Sequence, residues 1–206
     1  MLQDAKKILP VCFELLLLMA RASAKVKADF KMAVRSFFAA FILLPFSLWT
    51  LQVHPLLYAE GDQPSIEMIA VASFNGHVIS TVVMFALIYL FLHMFQKKEN
   101  FLSFVTQINW LAFVFSLWTL MVHGIEAAGW IDFQFAEDIF VVTQIYAVIV
   151  LAVCFYGTFK MDWVWGAFFA CLSIIVGDAF QDLFYYMIDL ELVDYAEYFT
   201  AETPKK

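Results

Sequence analysis

Long apolar segments follow one another along the chain, separated by short polar connections. They predict membrane spans at about residues 36–53, 66–95, 101–123, 139–159 and 163–190. A bilayer core about 30 Å thick needs roughly 20 apolar residues per helix, and these segments are close to that length or longer. The pattern therefore predicts an all-α fold, a polytopic membrane helix bundle with five transmembrane helices in a domain at residues 31–190.

The two ends of the chain carry different patterns. Lys7, Glu14 and Arg21, seven residues apart, form a polar stripe on an otherwise apolar segment. This predicts an N-terminal amphipathic helix within residues 1–30 that lies at the cytoplasmic membrane interface. Residues 191–206 are predicted to form an acidic outer tail.

The distribution of charge gives the bundle a predicted orientation. Of the twelve Lys and Arg residues, all but two precede the first span or occupy alternate connections. These residues are Lys6, Lys7, Arg21, Lys25, Lys27, Lys31, Arg35, Lys97, Lys98 and Lys160. The other two connections contain only acidic charges, and the positive-inside rule then predicts a cytoplasmic N-terminus and a periplasmic C-terminus in a bacterial inner membrane.

Composition narrows the classes of function. With 64% hydrophobic residues, the chain is more apolar than a soluble domain of 206 residues. Insertion topology already accounts for the basic residues, so we expect the lipid bilayer and no nucleic acid as a partner. Cys12, Cys154 and Cys171 have no paired spacing and are interpreted as small buried hydrophobes, with no cofactor or metal expected.

Ionisable side chains inside the apolar spans are the candidate functional groups. Counted at about 1.5 Å per residue from the outer ends of their helices, Asp178 and His77 lie at similar depth. A charged residue at the bilayer centre costs roughly 2.5–3.5 kcal/mol, so it must face protein or water. We predict a buried polar cluster in the outer half of the bundle: His77, Asp178, Asp182, Gln181, Asn75 and Gln144.

Two interpretations of this cluster stay open. A His–Asp pair between helices is more often a structural hydrogen bond that fixes helix register. Intramembrane acids are nevertheless candidate functional groups by default. The face of the fifth span below Asp178 is apolar, which favours an outer pocket over a continuous path through the membrane.

A second candidate feature is a face of small residues on the second span. Ala72, Gly76 and Ser80 recur at four-residue spacing, which allows the backbone of a neighbouring helix to approach closely. The chain has no Gly-rich phosphate loop, serine elbow or paired-His motif, so we do not expect an enzyme.

Three functions compete. The first is a non-enzymatic accessory or scaffold subunit that binds a membrane-protein partner or forms a homo-oligomer through helix–helix contacts. The alternative is a proton- or ion-coupled transporter component that uses His77, Asp178 and Asp182. An intramembrane enzyme ranks last, because it requires an outer-half nucleophile or metal.

Short motifs suggest a family. From Val34 onward, the run Arg35-Ser36-Phe37-Phe38-Ala39-Ala40, then Leu44-Pro45 and Ile108-Asn109-Trp110, resembles small, functionally unassigned inner-membrane proteins, mainly alphaproteobacterial. The layout over residues 30–190 also resembles Yip1-domain proteins, with a cytoplasmic N-terminus and five spans. Here the inner hairpin is Gln96-Lys97-Lys98-Glu99-Asn100 rather than Gly-rich. The resemblance implies a membrane-organising or protein-interaction role and no catalytic residues.

Overall fold

The computed structural model describes residues 2–42 and 66–187 and is helical wherever it has regular structure. Its helices are α1 Leu2–Leu16, α2 Phe30–Ile42, α3 Ile66–Met94, α4 Phe101–Ala127, α5 Phe133–Phe159 and α6 Trp163–Met187. Short 3₁₀ helices, Ala20–Lys25 and Lys98–Asn100, lie between them. Four helices, α3 to α6, are long and apolar enough to cross a membrane, which makes this a membrane protein.

These four helices confirm the predicted spans two to five as apolar helices. The main difference is at the start of α5, which begins at Phe133 rather than near Ile139. Asp132 causes the earlier start, because its carboxylate accepts a hydrogen bond from the Phe135 amide at 2.8 Å and caps the helix. The predicted first span is described only as far as Ile42, and its remainder and the tail at 191–206 lie outside the described residues.

Alternate helix ends carry opposite charges. Lys97, Lys98 and Lys160 lie in the connections at one end of α3 to α6, which is called the basic end here. Glu126 and Asp132 lie at the opposite end, called the acidic end.

The long helices pack in a curved row. Helix α6 packs along both α3 and α5, and α5 also packs along α4. Helix α2 covers α4 on its other side. Helices α3 and α4 meet near the basic end, where the Tyr89 and Phe101 rings are 5.1 Å apart. The row therefore bends around a central space between α3, α4, α5 and α6.

Aromatic rings line the basic half of that space. Phe155 lies 5.7 Å from Phe104 and 5.6 Å from Phe169, measured between ring centroids, and so joins α4, α5 and α6. Phe91 of α3 completes the cluster at 4.9 Å from Phe169. Such ring pairs stabilise helix contacts by about 0.5–1.5 kcal/mol beyond their buried area. They make the basic half of the central space apolar.

The N-terminal segment shares the core of the bundle. Ile8, Cys12 and Leu15 are fully buried on one face of α1, whereas Lys6 and Lys7 are exposed on another. The segment packs against α4 and α5. The amphipathic pattern therefore corresponds to a face buried against protein in α1.

Candidate functional site

A central cavity of about 250 Å³ lies between α3, α4, α5 and α6. Its lining is mainly apolar, and at its core are Met84, Ile88, Phe104, Phe155 and Phe169. Its polar lining residues are His77, Ser80, Thr81 and Ser173.

The cavity changes in polarity along its length. On α3 the lining runs from His77 to Ile88, and on α6 from Gly177 to Gly166. Each stretch covers twelve residues, and the eleven steps between its ends span about 16 Å of helix. The polar residues lie toward the acidic end and the aromatic residues toward the basic end. The cavity is therefore elongated along the helices, with one polar and one apolar end.

The two serine hydroxyls in the cavity wall already use their protons. Ser80 Oγ donates to the His77 carbonyl oxygen at 3.0 Å, and Ser173 Oγ donates to the Ala170 carbonyl oxygen at 2.7 Å. A hydroxyl that donates its proton keeps its oxygen lone pairs as acceptors. These serines therefore present acceptors rather than donors to the cavity.

The structure brings only part of the predicted polar cluster to this cavity. His77 lines it, and so does Gly177, which lies next to Asp178 in the sequence. No hydrogen bond or ion pair joins the described side chains of His77 and Asp178, and Asp178 is exposed.

The remaining members of the predicted cluster lie apart. Asp182 and Gln144 are exposed, Asn75 is half-buried, and the side chain of Gln181 lies outside the described part. The reason is helical geometry. With Gly177 facing the cavity, Asp178 and Asp182 are turned away by about 100° and 140° around α6.

The predicted small-residue face is buried in the structure. Ala72, Gly76 and Ser80 all lie at buried positions of α3. Ser80 also lines the cavity, and α3 packs along α6 on this side of the bundle. This face is thus used inside the chain itself.

A second polar region, which sequence reasoning missed, joins the N-terminal segment to the bundle. This N-terminal junction consists of Ser23, Ser103, Gln107, Cys154 and Thr158, all buried. Gln107 Nε2 donates to the Ser23 and Ser103 carbonyl oxygens at 3.4 and 3.1 Å. Ser23 and Thr158 hydroxyls both donate to the Cys154 carbonyl oxygen, at 3.3 and 2.8 Å.

Glycine allows this junction to close. A Cβ atom on Gly157 would overlap the Ala20 carbonyl oxygen and lie 2.9 Å from Ser23 Oγ. The backbone of the 3₁₀ helix Ala20–Lys25 therefore lies directly on α5. Tyr146, further along α5, donates a hydrogen bond to the Leu16 carbonyl oxygen at the end of α1.

Two further polar contacts tie α2 to its neighbours. Asn109 Nδ2 of α4 donates to Ser36 Oγ of α2 at 2.8 Å, and both residues are buried. At the preceding position of α2, Arg35 Nη2 donates to Asp4 Oδ1 of α1 at 3.0 Å, and Arg35 Nε lies 2.8 Å from Asp4 Oδ2. Helices α1, α2 and α4 are thus joined by groups that are polar in sequence but paired in the fold.

The Cys12 thiol of α1 is fully buried against the bundle, and burial changes its pKa. Burial, with a smaller effect from nearby Cys154, raises the pKa of Cys12 from 9.0 to about 12. The thiol therefore stays protonated at neutral pH, as expected of a small buried hydrophobe. Cys154 is also buried, whereas Cys171 is exposed on α6.

One sequence signal could have revealed the junction. Gln107 and Asn109 interrupt the apolar pattern of α4, about 9–12 Å from its first residue. Polar amides at such positions commonly hydrogen-bond to another helix. The pattern of a single helix does not give the partners of these amides, so it did not identify them as contact residues.

Among the described residues, no three His, Cys, Asp or Glu side chains lie together in a way that could hold a metal ion. Comparison of the chain with protein-family models, curated proteins and solved structures finds no match.

Proposed function

We propose that this chain is a non-enzymatic integral membrane protein that acts as an accessory or scaffold subunit through helix–helix contacts. The observation that carries the proposal is the N-terminal junction. Gln107 binds the backbone of the N-terminal segment to α4, and Ser23 binds it to α5. The protein devotes its buried polar groups to holding its own elements together, as a rigid structural component requires.

The aromatic cluster supports the same proposal. Phe104, Phe155 and Phe169 lie across the basic half of the bundle, below the polar residues of the cavity. A path for ions needs polar groups or water along its whole length. The described part of the cavity offers polar groups toward one end only, which favours a structural role over transport.

The placement in the membrane is part of the proposal. We place the basic end at the cytoplasmic face of a bacterial inner membrane, with residues 36–53 as an additional first span. The N-terminus is then cytoplasmic and the C-terminus periplasmic, as in the Yip1-like layout. The supporting observation is the location of Lys97, Lys98 and Lys160 at one end of the four long helices.

A partner must use a surface other than the small-residue face. Ala72, Gly76 and Ser80 are occupied inside the chain, so contacts with another subunit fall on exposed apolar positions. Val142 and Ile145 of α5 are examples, at 65% and 60% exposure. Truncating these side chains to alanine leaves the buried core of the chain unchanged.

The test is isolation of the tagged chain in native-lipid particles and identification of proteins present in stoichiometric amounts. We expect one fixed membrane-protein partner or a defined homo-oligomer. The double variant Val142→Ala, Ile145→Ala should weaken that association if α5 is the contact helix. Val82→Ala, at an exposed position of α3, is the matched control. A chain that is isolated alone and monomeric contradicts the proposal.

A second candidate, a proton- or ion-coupled transporter component, is favoured by one observation. His77 lines the cavity, with Asp178 one residue beyond the lining residue Gly177. The test is proton flux into proteoliposomes. Asp178→Asn should abolish flux if this carboxylate carries protons, whereas Asp138→Asn, at an exposed position of α5, should leave it unchanged. Absence of flux in the unaltered protein removes this candidate.

A further inference from the structure

We propose that the central cavity binds a single-chain lipid with an uncharged, hydroxyl-bearing head, of the monoacylglycerol type. The head lies among His77, Ser80 and Ser173, and the alkyl chain extends toward Phe104 and Phe155. The proposal concerns a ligand site and is independent of the identity of any protein partner.

The shape and lining of the cavity favour one alkyl chain. The space is about 16 Å long by helix rise but only about 250 Å³ in volume. Pockets for drug-sized ligands are usually about 300–1,000 Å³, so a double-chain lipid or a large ring system exceeds this space. Apolar cavities also bind water poorly, because water there finds too few polar partners. An alkyl chain matches the apolar end, where Phe104, Phe155 and Phe169 meet.

The hydrogen-bonding state of the wall selects the head group. Ser80 and Ser173 donate to carbonyl oxygens of their own helices and present oxygen lone pairs to the cavity. The serine oxygens therefore favour a ligand head that supplies donors, and the Thr81 hydroxyl in the same wall can donate or accept. Glycerol hydroxyls supply such donors, and the imidazole of His77 can donate to or accept from the same head.

The lining of the cavity also selects against a charged head. A ligand carboxylate would bring more acceptors to serine oxygens that already present acceptors. A charge of either sign would also lose its hydration in this mainly apolar space, which is costly without a paired charge. An uncharged head with hydroxyl groups avoids both costs.

The experiment uses the full-length chain in phospholipid nanodiscs. The probe is monolauroylglycerol with a diazirine at the end of its alkyl chain. After photolysis, mass spectrometry should locate the cross-link on peptides that contain Phe104, Phe155 or Phe169. Cross-links spread over exposed positions such as Val142 and Ile175 would overturn the proposal, because they report lipid contact outside the cavity.

Competition tests the head group. Unlabelled monolauroylglycerol should displace the probe, and lauric acid should do so at least about ten-fold less effectively. Laurylamine, a cationic donor, tests the charge argument separately. If laurylamine or lauric acid competes as well as the glycerol ester, the assignment of an uncharged head is wrong.

Matched variants test the cavity itself. Ala170 is buried in the cavity wall, whereas Ala179 is exposed on the same helix. Ala170→Leu should fill the apolar end and, by excluding two methylenes of the ligand, reduce probe affinity about ten-fold. Ala179→Leu should leave affinity unchanged. Equal cross-linking of both variants, each checked for a folded state by thermal unfolding, would overturn the proposal.

A further variant tests whether the Ser173 oxygen accepts a hydrogen bond from the ligand head. Ser173→Ala removes one lone-pair acceptor and should weaken binding of the glycerol ester about three-fold. Affinity for a dodecane probe with the same diazirine should not change, since it has no head to bind. A loss of the same size for both probes contradicts the predicted hydrogen bond.

Discussion

The N-terminal junction and the central cavity treat buried polar groups in opposite ways. In the junction, the Gln107 amide and the Ser23 hydroxyl bind groups far away in sequence. In the cavity, Ser80 and Ser173 bind only carbonyl oxygens three residues away on their own helices. The first arrangement fixes separate elements relative to one another. The second satisfies the protein while leaving acceptor capacity free for a ligand.

The difference shows how a polar residue in an apolar helix can be used. A side chain that binds another element stabilises the fold, because an unsatisfied partner would cost about 1–3 kcal/mol. A side chain that donates to a carbonyl oxygen of its own helix is satisfied without a second element, and its oxygen lone pairs can still accept a hydrogen bond from a ligand. The two regions share α4 and α5, so the same helices serve both purposes.

The largest expected effect concerns the reactivity of the buried Cys12 thiol, which lies near Cys154 of the junction. Raising the thiol pKa from 9.0 to about 12 lowers the thiolate fraction of Cys12 at pH 8 about a thousand-fold. In the variant Gln3→Cys, Cys12 and an exposed cysteine occupy the same helix. We expect N-ethylmaleimide to label the new cysteine about a thousand-fold faster, as measured by peptide mass spectrometry.

The pH profile gives the sign of this effect. With iodoacetamide, which withstands alkaline pH better than a maleimide, labelling of Cys12 should rise about ten-fold per pH unit from about pH 9 to 10, while labelling of the cysteine at position 3 levels off. Similar rates for both thiols would mean that α1 leaves the bundle, and the contrast between the two regions would then fail.

A second prediction tests the close approach at Gly157. Gly157→Ala places a Cβ atom on the Ala20 carbonyl and should lower the free energy of unfolding by about 2–3 kcal/mol. Gly124→Ala is the control, since no atom lies within 4 Å of its Cβ position. Unfolding in mixed micelles should show the control unchanged or up to about 1 kcal/mol more stable. A tolerated Gly157→Ala would mean that the junction is loosely packed.

A third prediction compares two glutamines. Gln107→Leu removes the donor to the Ser23 and Ser103 carbonyls and should cost about 1–3 kcal/mol of unfolding free energy. Gln144→Leu, at an exposed position of α5, should change it by less than about 0.5 kcal/mol. The same titration measures both. Equal losses would indicate that exposure does not separate the two sites.

The smallest effect is expected near the cavity. Asp178 is exposed, so Asp178→Asn should change the free energy of unfolding by less than about 0.5 kcal/mol in the same assay. A loss above about 1 kcal/mol would show that the carboxylate stabilises the fold through a partner. The cavity side would then resemble the junction.

Much of the fold could be predicted from apolar pattern alone. Bilayer thickness sets helix length, and Lys97 or Lys160 mark where helices turn, so the four long helices agree with their predicted spans. The capped start at Phe133 was missed because apolarity, rather than the Asp132 cap, was used to place it.

The polar contacts could not be predicted equally well. Helical spacing gives the face on which Asp178 lies, but not the direction in which the bundle rotates that face. The bond from Gln107 to the Ser23 carbonyl spans 84 positions in the chain, and periodicity carries no information about such partners. The similar depth of His77 and Asp178 follows from helix rise alone and stays a prediction, while His77 and Gly177 both line the cavity.

The bond between Ser23 and the Cys154 carbonyl has a consequence for synthesis of the chain. Its two ends are 131 residues apart, so at about 5–20 residues per second the N-terminal segment precedes its partner by about 7–26 s. During that interval the apolar face of Ile8, Cys12 and Leu15 has no finished bundle to cover it. Helix α1 thus leaves the ribosome well before the helix that covers it, and it reaches its final position only after α5 has been inserted.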